Sequence, residues 1–62
     1  MKVNFYKTRG VNIKNASLVT RAILDHIPQK GLYIKFFGQE FVVNRVYYDI
    51  TENECNVYMS RA

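Results

Sequence analysis

The stretch from Gly31 to Ile50, GLYIKFFGQEFVVNRVYYDI, carries six aromatic side chains in twenty positions of a 62-residue chain. A strand points alternate residues to opposite faces, so one sheet covered on one side has no room for all of them. Leu32 to Phe37, Phe41 to Ile50 and Cys55 to Arg61 are rich in β-branched and aromatic residues and read as three strands. Gly38-Gln39 and Thr51-Glu52-Asn53-Glu54 are short enough for hairpins, which predicts an antiparallel meander.

Upstream, Met1 to Lys7 alternates, with Met1, Val3 and Phe5 on one side and Lys2, Asn4 and Tyr6 on the other. This is the pattern of a half-buried strand. The spacing then predicts a helix from about Ala16 to Ile27, capped by Asn15 and stopped by Pro28. Val19, Ala22, Ile23, His26 and Ile27 fall on one helical stripe, and Arg21 and Asp25 are spaced as an i,i+4 pair on the other side. The expected architecture is a two-layer α+β domain spanning 1–62, one helix laid across an antiparallel sheet of three to four strands. A chain this short buries only about 60% of the surface its unfolded form exposes, so no second domain is expected.

The register of the last hairpin follows from pairing Ile50 with Cys55, which sets Tyr48 opposite Val57 and Val46 opposite Met59 on the covered face. A two-residue loop at Gly38-Gln39 brings Phe41 and Val43 to the same face as Ile34 and Phe36. The two registers conflict, so either a bulge near Asn44-Arg45 switches the phase or the first loop has three residues. The longer loop leaves Tyr33, Lys35, Phe37, Phe41, Val43, Arg45, Tyr47 and Tyr58 on the uncovered face. The bulge still leaves Tyr33, Phe37, Tyr47 and Tyr58 there. Leu32, Ile34, Phe36, Tyr48 and Ile50 are expected inside under the longer loop.

An aromatic patch of this kind marks an interaction surface. Tyr, Phe and Arg are what protein interfaces collect, and this favours a protein partner or self-association. Rings interleaved with Lys35 and Arg45 would also stack and neutralise single-stranded nucleic acid, the alternative reading. A net charge of +4 conceals an asymmetry, since residues 1–37 sum to +6 and residues 38–62 to −2. Lys7, Arg9 and Lys14 form a candidate contact for an anion or nucleic acid, weighed against ordinary solubilising charges on a turn.

No catalytic, cofactor or metal constellation stands out, and an enzyme is not expected. His26 has no identifiable partner and reads as a packed ring; Cys55 reads as a buried small hydrophobe. Asp49, Glu52 and Glu54 lack the glycine and ligand spacing of a calcium loop and read as solvated turn charges. One cysteine and one histidine fall short of a zinc site. No run approaches the roughly 18 apolar residues of a membrane span, and no apolar stretch follows Lys2 as in a secretory signal. A cytoplasmic protein with no membrane partner is expected.

The wording FVVNRVYYDITENECNVYM and the abundance of Asn, Lys, Ile, Tyr and Phe resemble the short hairpin-rich reading frames of phages and prophages of low-GC Gram-positive bacteria. The resemblance implies a small non-enzymatic protein that binds a host or viral macromolecule, in the manner of an inhibitor.

Overall fold

The computed structural model describes residues 1–9 and 12–62, and the side chains of 1–9 and 14–62. Five strands form one sheet: β1 (Lys2–Arg9), β2 (Asn12–Ile23), β3 (Tyr33–Phe36), β4 (Gln39–Asp49) and β5 (Glu54–Arg61). Their order across the sheet is β2-β1-β5-β4-β3. Neighbours are antiparallel except β1 and β5, which run parallel, Val3 beside Cys55 and Phe5 beside Val57.

The expected helix is replaced by β2, and with it the α+β class gives way to an all-β fold; the described residues contain no helix. Val19, Thr20 and Ile23 are β-branched and lose side-chain freedom in a helix, whereas a pleated surface accommodates them. As a strand, the segment also satisfies the backbone of β1 from Lys2, opposite Ile23, to Lys7, opposite Ser17. Asn15 is consequently an exposed strand residue rather than a cap, and His26 lies exposed in a bend instead of on an apolar stripe.

The sheet is strongly curled. Adjacent strands lie about 4.8 Å apart, so a flat sheet would hold β1 and β3 roughly 14 Å from one another. Instead the rings of Phe5 and Phe36 meet edge to face with centroids 5.2 Å apart across the concave side. Bulges permit this bending. One leaves Val19 unpaired between Thr20 and Leu18, and another leaves Asn44 unpaired between Val43 and Arg45.

The Asn44 bulge resolves the register conflict in the sequence. The first hairpin has a two-residue loop, Phe37-Gly38, one residue earlier than expected, with φ of 49° and 78° as a type I′ turn requires. Phe41 and Val43 then face inward with Ile34 and Phe36, and the bulge returns Val46 to the same side. Tyr48 pairs with Cys55 and Val46 with Val57, two residues from the expected register, which preserves the faces.

The concave side holds the core: Val3, Phe5, Phe41, Val43, Cys55, Val57 and Met59 are buried. The connection from β2 to β3 supplies further cover through Leu24 and Ile27, which pack on this cluster, and through buried Pro28. It is anchored at both ends, by the Leu24 amide donating to the Met1 carbonyl (2.9 Å) and the Gly31 amide donating to Val43 (2.8 Å). Leu32, Tyr48 and Ile50, expected inside, are exposed. Ile50 falls in the four-residue turn after β4, and Leu32 and Tyr48 lie toward the rim of the trough.

Candidate functional site on the convex face

Alternation sends Tyr6 of β1, Tyr58 of β5 and Tyr47 and Arg45 of β4 to the convex side, and pairing places them next to one another. Tyr6 and Tyr58 are direct neighbours in the parallel ladder and stack with centroids 5.1 Å apart and planes 16° from parallel. Tyr58 meets Tyr47 edge to face at 5.7 Å, and Arg45 Nη1 donates to the Tyr47 hydroxyl at 3.3 Å. Three strands thus contribute a continuous row of rings ending in a guanidinium.

Tyr33 and Lys35 follow on the edge strand β3, both exposed, and Phe37 stands at the hairpin tip with 93% of its surface accessible. A bulky residue at φ near 49° is a strained choice where Asn or Gly would sit more easily. Phe37 therefore gives neither packing nor turn stability in return for its exposure.

Of the eight residues expected on the uncovered face, Tyr33, Lys35, Arg45, Tyr47 and Tyr58 lie on the convex side and Phe37 at its edge. Phe41 and Val43 do not: both are buried in the core, Phe41 near Phe36, because the bulge rather than a longer loop sets the phase. Tyr6 is an addition. Its position opposite Val3 and Phe5 was legible in the alternation of β1, but its stacking partner depends on a pairing between residues 52 apart in sequence.

Beside the rings lies a polar network. Asn4, 3% exposed, donates to Glu54 Oε1 and to Asn56 Oδ1 (2.9 Å), and accepts from Arg21 Nε (3.1 Å). Arg21, expected to pair with Asp25 on a helix, instead joins β2 to β1. These bonds tie three strands together and leave Asn4 fully engaged.

Burial pushes the Cys55 thiol above its ordinary pKa; Tyr58 is also raised, first by burial and then by repulsion from Tyr6 and Tyr47. Both contributions to stability are fully present below the unfolded values, about 8.5 for a thiol and 10 for a phenol, and fade as pH rises, because the unfolded chain ionises first. The urea midpoint should therefore fall as pH increases from about 8.5, and Cys55→Ala should remove the lower part of that fall. A midpoint independent of pH up to about 11 would contradict the burial of both groups.

Asp49, Glu52 and Glu54 do not converge: Asp49 Oδ1 accepts from the Glu52 amide at 3.2 Å, while Glu54 accepts from Asn4. No group of three or more His, Cys, Asp or Glu side chains comes together among the described residues. Among these residues, too, no helix is long and apolar enough to cross a membrane. Lys7, Arg9 and Lys14 are exposed at the end of the sheet where β1 finishes, with Arg61 of β5 alongside. The fold and site together define a curled five-stranded mixed sheet with an aromatic convex face. Comparison with protein-family models, curated proteins and solved structures finds no match.

Proposed function

We propose that this chain is a non-enzymatic binding protein whose convex face docks against the surface of another protein. The observation that carries the reading is the contiguous row Tyr6, Tyr58, Tyr47 and Arg45. Rigid amphipathic rings beside a guanidinium offer contact area at little entropic cost, and Tyr and Arg dominate the energetics of protein interfaces. Phe37 adds support, because its ring is exposed at a position where it costs stability. Lys35 and Arg45 supply orientation and charge matching at the rim. The phage-type wording of the sequence suits a host protein as partner, with occupation of its working surface as the mode of action.

Two substitutions separate this role from a structural one. Tyr47→Asp should weaken partner binding about 30-fold or more, as expected for a central anchor. Phe37→Asn should weaken it too while leaving the urea midpoint equal or higher, since Asn tolerates a left-handed turn position. Binding is read by titrating each variant against the protein that the wild type captures from host extract. A partner that is a second copy shows instead as a light-scattering mass of twice 7.3 kDa that Tyr47→Asp returns to one. A monomeric wild type whose captured proteins bind both variants unchanged overturns the reading.

A further inference from the structure

The parallel pairing of β1 and β5 has a chemical result at the end of the sheet away from the Asp49–Glu54 turn. Because both strands run the same way, their C-terminal residues finish side by side. Lys7, Thr8, Arg9, Ser60 and Arg61 line a cleft there of ≈ 400 Å³. Three of these residues are cationic and two carry hydroxyls, and no carboxylate is among them. The volume lies within the roughly 300–1,000 Å³ of small-molecule sites.

The donors are partly held in place. Arg61 Nη2 donates to Gln39 Oε1 at 3.0 Å, which fixes one side of the guanidinium and leaves further N–H groups of its fork for a ligand. Ser60 Oγ accepts from Asn44 Nδ2 at 2.9 Å, so its own proton is directed elsewhere. The bulge that sets the sheet's phase thereby also orients a hydroxyl at this cleft. Thr8 Oγ1 donates to the Met59 carbonyl at 3.3 Å and pins the two strands together. The acidic turn cannot neutralise the cleft. An eight-residue strand separates Glu54 from Arg61, about 23 Å along its axis, well beyond a screening length of about 8 Å at physiological salt.

We infer that this cleft binds a phosphate group. Arginine forks match tetrahedral oxyanions in bidentate fashion, a lysine adds a point charge, and three cations suit the several charged oxygens of linked phosphates better than a single carboxylate. The cleft shares no lining residue with the tyrosine row, and its ligand is either a free oligophosphate or the phosphodiester backbone of a nucleic acid.

Amide chemical-shift titrations of the full chain with tripolyphosphate and with a single-stranded oligothymidine, at low salt, test this. Shifts should concentrate at Lys7–Arg9 and Ser60–Arg61. Arg9→Gln and Arg61→Gln should each weaken binding about tenfold, the loss expected for one charge-assisted contact. Lys2→Gln, an equal loss of charge at the far end of β1 beside Glu54, should leave it within about twofold when compared at about 0.15 M salt, where the screening length is about 8 Å. Arg9→Gln makes the test independent of the Arg61 contact to Gln39. If the oligonucleotide binds with a log–log salt slope near −2, as about three neutralised phosphates require, the source is nucleic acid. If only tripolyphosphate binds, the source is a free phosphate. No binding by either probe, or an effect of Lys2→Gln as large as that of Arg9→Gln, overturns the site.

Discussion

Phe5→Ala should leave the protein largely unfolded at 25 °C. Removing a buried phenylalanine ring costs about 3–5 kcal/mol, and a single core in a chain below about 70 residues supplies about the same amount. Phe5 is 3% exposed and lies in β1, near the middle of the sheet order. Its ring also reaches Phe36 of the opposite edge strand, so the substitution removes the contact across which the sheet closes on itself. Far-ultraviolet circular dichroism and urea titration measure the effect. Phe37→Ala is the matched control: the same atoms are lost from an exposed hairpin tip, and a change within about 0.5 kcal/mol is expected, as for other surface sites. Similar behaviour of the two variants would refute the curled core.

Asn4→Ala is expected to cost about 1–3 kcal/mol, because the guanidinium of Arg21 and the side chain of Asn56 lose their shared partner in a part-buried setting. The diagnostic is coupling. In a double-mutant cycle, Asn4→Ala and Arg21→Ala should be non-additive by at least about 0.5 kcal/mol, as residues in one network are. Arg21→Ala and Asp25→Ala should be additive, since β2 carries Arg21 to β1 and Asp25 lies beyond its end. The opposite pattern would restore the helical arrangement and remove β2.

The convex face was legible because strand alternation is local. Once residues 33–61 are read as strands, Tyr47 and Tyr58 must lie opposite Val46 and Val57, whatever the sheet's order. The conflict between two hairpin registers was likewise visible in the spacing and demanded either a bulge or a longer loop. Choosing between them needed the turn itself. Gly38 serves as the second left-handed residue of a two-residue loop, which brings Phe41 inside and leaves the phase change to Asn44.

The segment from Asn12 to Ile23 shows where local pattern stopped being informative. Val19, Ala22, Ile23 and Ile27 fit a helical stripe, yet Val19 and Ala22 pack on the core from a strand while Ile23 is 78% exposed. A helix satisfies its backbone within itself; a strand needs a neighbour, and that neighbour here is β1, whose free edge the sequence does not display. The same holds for the phosphate cleft. Lys7 and Arg9 stood out as a basic run, but Ser60 and Arg61 reach them only through parallel pairing across the length of the chain. Alternation along each segment was enough to say which side chains share a strand face and that rings would be left over. Which strands lie side by side came from the folded chain, because backbone hydrogen bonding between distant segments is set by burial of the whole core and not by any residue's own preference.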